Sequence, residues 1–247
     1  MPDSSTILIV MATFLLAGAV KGVIGLGLPT VSLALLTVAL GLPQAMALLL
    51  APSLATNAWQ ALAGTHTRTV LARTWPFLLP ATITVWLGAE ALSRVAFPLL
   101  SALLGLLVVV YAGVGLAGWR PVMTPTAHRW LAPLLGLLNG VLTGMTGSFV
   151  MPGVIYLQAL ALPRDQLIQA MGMLFGLSTA ALGVALGGRG MLDAELAGLS
   201  ALAVLPALVG MALGQRLRRL LPEATFRRVF LLALLLLGGY IMARSLG

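Results

Sequence analysis

Apolar residues fill this chain in long continuous runs, and glycine, proline and arginine punctuate them. Runs and breakers together predict ten helical segments. The first extends from about Thr6 to Gly25, the second from Thr30 to Leu42, and the third from Pro43 to Ala63. Trp75 to Leu92 forms the fourth and Phe97 to Gly118 the fifth. Beyond a linker, Trp119–Arg129, come Trp130 to Gly144, Ser148 to Leu162, Arg164 to Leu186, Glu195 to Leu217 and Thr225 to Ser245. The second and seventh segments are too short to cross a bilayer. At 1.5 Å per residue they reach roughly 20 and 23 Å, against about 30 Å of hydrocarbon. Each follows a glycine-rich break, so segments 1–2 and 6–7 are expected to form broken or re-entrant hairpins.

Composition narrows the class. Hydrophobic residues make up 60% of the 247, charged residues 8%, and mean hydropathy is +1.07. Soluble domains carry about three times that share of charge. The runs do not alternate, which argues against a β-barrel. The expected fold is therefore an all-α polytopic membrane protein with no sizeable soluble domain. The N-terminal MPDSST has no basic region and no small-residue cleavage site follows it, so residues 7–20 are expected to be a mature helix. There is no cysteine, hence no disulfide or thiolate centre.

The two sides of the linker resemble each other at an offset of roughly 120 residues, the mark of a duplication. Gly18-x-x-Lys21-Gly22 matches Gly136-x-x-Asn139-Gly140, and both continue through glycines to a proline, Pro29 or Pro152. Two repeats are expected, residues 1–118 and 130–247, joined by a cytoplasmic linker over 119–129 within one membrane domain. With the N-terminus outside, ten arginines fall inside: Arg68, Arg73, Arg120, Arg129, Arg164, Arg216, Arg218, Arg219, Arg227 and Arg228. Arg94, Arg189 and Arg244 fall outside, and this asymmetry sets the orientation. Both termini are then periplasmic and the second repeat is inverted relative to the first. Inverted repeats with matching broken helices are a signature of secondary transporters. Ten full spans, or six with two re-entrant hairpins, satisfy the same charge count; the short segments favour the second.

The net charge of +8 is thus explained by topology rather than by nucleic acid. Lys21, the one lysine, lies about fourteen residues into an apolar run, up to roughly 21 Å along a helix. An intramembrane cation beside broken backbone is a functional-site candidate. Lys21, Gly25, Gly27 and Thr30 are expected to bind a small anion through the ammonium, free N–H groups and the second segment's N-terminus. Asn139, Thr143, Thr146 and Ser148 offer a polar counterpart in the second hairpin; helix–helix hydrogen bonding is the competing role. On the third segment Ser53, Thr56, Asn57 and Gln60 share one face, and Pro52 frees a carbonyl there. Gln169, Ser178 and Thr179 are their approximate counterparts on the eighth. Glu90 is a possible proton-coupling carboxylate or an i,i+4 partner for Arg94. The Arg216–Arg228 cluster suits anionic lipids. His66 and His128 lack companions for a metal site, and no Walker, dinucleotide or nucleophile-elbow motif occurs, so no metal or cofactor is expected.

The motifs KGVIGLGLPTVSLALL (21–36), LPQAMALLLAPSLATNAWQ (42–60) and NGVLTGMTGSFVMPGVIYLQAL (139–160), with DQLIQAMG from Asp165, resemble the TauE/SafE family of bacterial sulfite exporters over essentially the whole chain. The resemblance implies export of sulfite, sulfoacetate or related organosulfonates across the inner membrane. It departs in the first motif, where Gly25-Leu-Gly27-Leu-Pro29 replaces the consecutive glycines of many members. Residue chemistry alone supports a small anion; the resemblance supplies the sulfur. An anion channel of the same fold remains an alternative. An intramembrane enzyme acting on a lipid-linked phosphate is a weaker one, since it needs clustered carboxylates or a nucleophile–base pair. The oligomeric state is not set by the sequence.

Overall fold

The computed structural model describes residues 3–119, 121–218, 220 and 222–247; Arg120 and Arg219 of the inner charge set lie outside them. Among the described residues all regular structure is helical. α1 (Ser4–Ile24) opens on Asp3, whose carboxylate accepts from Thr6 N–H at 3.0 Å. Hydrogen bonds from Ser5 and Thr6 hold that carboxyl below the usual range. α1 ends at Gly25, in the left-handed region at φ +88°, and Gly27 at φ +107° starts α2 (Leu28–Leu40). Two left-handed residues in three positions favour glycine, and they turn the chain sharply. The second helix begins two residues earlier than its apolar run suggests because Pro29 fits its first turn.

The third predicted segment is two helices, α3 (Leu42–Leu48) and α4 (Leu50–Leu62). Pro52 has no N–H for the Leu48 carbonyl. Ser200 supplies the missing donor, bonding Leu48 O at 2.8 Å while its hydroxyl accepts from Ala51 N–H at 3.0 Å. α5 (Thr67–Ile83) and α6 (Val85–Arg94) start eight residues before the predicted fourth segment, since polar Thr67–Thr74 is helical too. α7 (Phe97–Ala117) follows the prediction closely. α8 (Pro125–Thr146) begins earlier than predicted, capped by Thr124 with Pro125 in its first turn. α9 (Gly153–Ala159) keeps only seven residues of the expected seventh segment. α10 (Arg164–Gly187), α11 (Ala194–Leu202), α12 (Val204–Leu217) and α13 (Glu223–Leu246) complete the chain.

Among the described residues, six stretches are long and apolar enough to cross a membrane: Ser4–Ile24, Thr67–Arg94, Phe97–Ala117, Arg164–Gly187, Ala194–Leu217 and Ala224–Leu246. The first arm of each hairpin is the longer one, 21 residues in α1 and 22 in α8, against 13 in α2 and 7 in α9; α1 is among these six stretches and α8 is not. Large apolar side chains such as Leu8, Leu79, Leu87, Leu205 and Leu236 stand exposed on the outside, as a lipid-facing surface requires.

The main helix pairs are α1 with α12, α4 with α10, α5 and α6 with α8, and α7 with α13. Each joins a helix before the linker to one after it. Glycines set the closest approaches. Gly18 and Gly22 lie against the backbone of Ala207 and Met211, while Gly210 and Gly214 lie against that of Leu15 and Ala19. On α8, Gly136, Gly140 and Gly144 meet the α5–α6 backbone at Phe77, Ala81 and Val85 in the same manner. Glycines four apart share a face and let two backbones touch. The glycines of the repeated motif thus glue helices, leaving Lys21 and Asn139 to other directions.

Candidate functional site

Lys21 lies in the last turn of α1 and is 4% exposed. Its ammonium donates to Asn57 Oδ1, and to Thr56 Oγ1 at 3.2 Å. Both acceptors are neutral and fully buried on α4. An ammonium has three donors, so one N–H is left over. Among the described residues no carboxylate pairs with it. A buried cation held only by neutral dipoles lacks its counter-charge, a costly arrangement.

The acceptors are themselves anchored. Thr56 Oγ1 donates to Pro52 O at 2.8 Å. Asn57 Nδ2 donates to Ser53 Oγ at 2.9 Å, and Ser53 meets Thr179 Oγ1 of α10 at 3.0 Å. Thr179 in turn donates to Phe175 O at 2.6 Å. This polar string crosses from α1 through α4 to α10 inside an apolar core. Spacings of three and four put Ser53, Thr56, Asn57 and Gln60 on one face, and Gly172 brings α10 close to the backbone of Asn57 and Ala61.

A cavity of about 530 Å³ opens beside Lys21. Gly25, Thr56 and Gln60 line it near the ammonium, and Asp165, Gln215 and Arg218 line it as well. Two glutamines brace its walls reciprocally. Gln60 donates from α4 to Ile168 O of α10 at 2.8 Å and to Gly25 O at 3.2 Å. Gln169 donates from α10 to Ala61 O of α4 at 2.8 Å, and to Gly64 O and Thr67 Oγ1. Its Oε1 accepts from His66 N–H at 3.2 Å. The α4–α5 turn is therefore clamped at the cavity wall. A space of this size suits a small organic or inorganic anion.

The predicted site residues divide into two groups. Lys21, Gly25, Ser53, Asn57 and Gln60 come together with Thr56, Gln169 and Thr179. Gly27 packs on Phe230 and Val20 instead, and Thr30 is buried in α2 outside the cavity. The N–H of Gly25 bonds Lys21 O at 2.7 Å and so is not free for a ligand. Asn139, Thr143, Thr146 and Ser148 build the second hairpin and do not line the Lys21 cavity. Asn139 Oδ1 accepts from Gly153 N–H at 2.9 Å, and Thr143 Oγ1 donates to Ser148 O at 3.0 Å. Thr146 Oγ1 donates to Leu142 O at 2.7 Å and accepts from Ser148 N–H. Among the described residues, Asn139 Nδ2, Ser148 Oγ and Ser178 Oγ are buried with no partner.

Glu90 lies away from the cavity and is about half exposed. It pairs with Arg94 at 3.0 Å, as its spacing predicts, and with Arg189 at 2.9 Å, which the spacing does not reveal. Arg94 and Arg189, both assigned outside by the charge count, thus meet at one carboxylate. Asp165, Gln215 and Arg218 are cavity residues that sequence reasoning missed. Gln215 had a signal: it follows Met211 by four, on the α12 face that meets Gly22. His128 Nδ1 lies 3.1 Å from the hydroxyl of Tyr156, whose ring stacks on Phe77.

Residues 10–241 match the family model described as Sulfite exporter TauE/SafE. No curated protein and no solved structure matches the chain.

Proposed function

The chain belongs to the sulfite exporter TauE/SafE family, and on that premise we propose that it is a secondary transporter carrying sulfite, sulfoacetate or a related organosulfonate out of the cytoplasm. The observation that carries the anion is Lys21: a buried ammonium with neutral partners and a spare N–H beside an open cavity. A sulfonate oxygen there supplies the missing negative charge through a charge-assisted hydrogen bond. Gln60, Thr56 and Asn57 orient the ammonium and shape the shell around the anion. Family membership, not the cavity, supplies the sulfur.

The protein is proposed to sit in the bacterial inner membrane with both termini periplasmic. Supporting this, the cavity is lined by Gly64, Asp165 and Arg218, which lie in or next to connections that the arginine asymmetry assigns to the cytoplasm. Transport by alternating access of two inverted repeats is supported by three ties lying away from that mouth. These are Ser53 to Thr179, Ser200 to the α3–α4 break, and Glu90 to Arg189. The pairing of every main helix with one from the other half supports the duplication. Asn139 and Ser148, with buried unpaired polar atoms, are assigned to the pathway beyond the open cavity; Thr143 and Thr146 hold the hairpin that carries them.

The test is a thermal-shift screen of sulfite, sulfoacetate, taurine, sulfate and phosphate on the purified protein and on Lys21→Ala. A ligand at about 100 times its Kd stabilises by about 2.7 kcal/mol. Sulfite or sulfoacetate is expected to stabilise the wild type and not the variant. Equal stabilisation of both proteins removes Lys21 from the site.

A further inference from the structure

Ile168, a wall of the Lys21 cavity, also lines a separate space on its other side. That space, about 160 Å³, adjoins the chain break at Ile24 and Leu26. It shares Tyr111, Gln158, Arg227 and Leu231 with a larger cavity of about 460 Å³ reaching Trp119 and Arg228. The two form one cleft between α7, α13 and the end of α9.

Its chemistry is one-sided. Arg227 and Arg228 line it together with Arg164, and among the described residues no aspartate or glutamate lines it. Tyr111 is buried in the wall at 7% exposure, and its hydroxyl makes no hydrogen bond among the described residues. Among the same described residues the half-buried side-chain amide of Gln158 makes none either, and Arg227 forms no ion pair or hydrogen bond. Unused donors beside the Arg227 and Arg228 guanidinium groups, in a cleft whose described lining carries no carboxylate, match the surface of a tetrahedral oxyanion. The rest of the lining is largely apolar, including Val114, Leu116, Leu167, Phe230 and Leu231. The cleft therefore has room for an anionic head and an apolar chain.

We propose that this cleft is a second anion site, distinct from Lys21, binding a phosphate-type oxyanion through Arg227, Arg228, Tyr111 and Gln158. The sequence groups the arginines from Arg216 to Arg228 as one lipid-facing cluster. The structure splits them: Arg218 belongs to the Lys21 cavity, and Arg227 and Arg228 belong to this cleft. The oxyanion has two possible sources, the headgroup of an anionic phospholipid or a free anion from the aqueous side.

The experiment compares the wild type with the double variant Arg227→Gln, Arg228→Gln. Native mass spectrometry measures binding of phosphatidylglycerol against phosphatidylcholine. Calorimetry measures inorganic phosphate. Sulfoacetate binding, which depends on Lys21, is the control and is expected to stay unchanged. A tenfold or greater loss confined to phosphatidylglycerol identifies a lipid site; the same loss confined to phosphate identifies a soluble-anion site. If the double variant binds both ligands as the wild type does, or the wild type binds neither, the proposal is overturned. Should the double variant unfold, Tyr111→Phe removes only a hydroxyl and is expected to weaken the same ligand three- to tenfold. An unchanged affinity in that variant also overturns the proposal.

Discussion

Replacing Lys21 by methionine separates the charge from the space it fills. Methionine is unbranched and nearly as long, so it occupies the same path between α1 and α4. What disappears is the ammonium and its bonds to Thr56 and Asn57. On the binding side, a unit charge about 4 Å from an anion is worth about 4 kcal/mol at an effective dielectric near 20. A net charge-assisted hydrogen bond is worth about 1.5–3 kcal/mol. A loss of about 2–4 kcal/mol follows, or roughly 30- to 700-fold in Kd.

On the stability side the terms oppose. Asn57 Oδ1 loses its donor at a cost of about 1–3 kcal/mol. Thr56 keeps its bond to Pro52 O. The burial of an uncompensated cation, worth several kcal/mol, is relieved at the same time. Lys21→Met is therefore expected to unfold at or above the wild-type temperature while losing anion affinity. Lys21→Arg keeps the charge but presents a planar fork to acceptors set for an ammonium, so its affinity falls between the two. The assay is calorimetric titration with sulfoacetate, paired with thermal unfolding of the ligand-free proteins. A methionine variant that binds sulfoacetate within threefold of the wild type refutes the reasoning. So does one that loses binding only because it no longer folds.

Ser200→Ala leaves the Leu48 carbonyl and Ala51 N–H without their partner, and is expected to cost about 1–3 kcal/mol in thermal or denaturant unfolding. Gly22→Val drives side-chain atoms into Gly214 Cα and Gln215 N, each 2.8 Å from the added Cβ. It should destabilise by about 1–3 kcal/mol or more, whereas Gly239→Ala, with nothing within 4 Å, should not. Glu90→Gln is expected to preserve sulfoacetate binding, since Glu90 does not line the Lys21 cavity, while raising hydrogen exchange around 86–94 and 186–190. Loss of proton-dependent transport in that variant would instead make Glu90 a proton carrier.

Local signals carried much of this fold. Gly25, Gly27 and Pro29 break the chain where a helix cannot continue, and that is written in three residues. The i,i+4 relation of Glu90 and Arg94 is equally local. The start of α5 was not legible, because Thr67–Thr74 is polar and propensity alone does not make it helical; Gln169, 102 positions from Thr67, fixes the adjoining turn. Pro52 announced a freed carbonyl, but its partner Ser200 stands 152 positions from Leu48. The same limit applies at the site. Lys21 was conspicuous as a charge, and Asn57 as part of a polar face. Their union depends on how α1 and α4 pack. The repeat implied that Asn139 would share Lys21's cavity, whereas it holds Gly153 and builds its own hairpin.

The glycine seam between α1 and α12 makes these two helices one solid piece, and Gly172 does the same for α4 and α10. Lys21 rides on the first piece; Thr56 and Asn57 ride on the second. The bond between them is thus a latch across a joint, and the latch is made of the same ammonium that an anion would seek. On the proposed transporter reading, an anion that took the spare N–H and weakened the hold of Asn57 on Lys21 would loosen this latch as it bound. Occupancy and freedom to move would then be a single event.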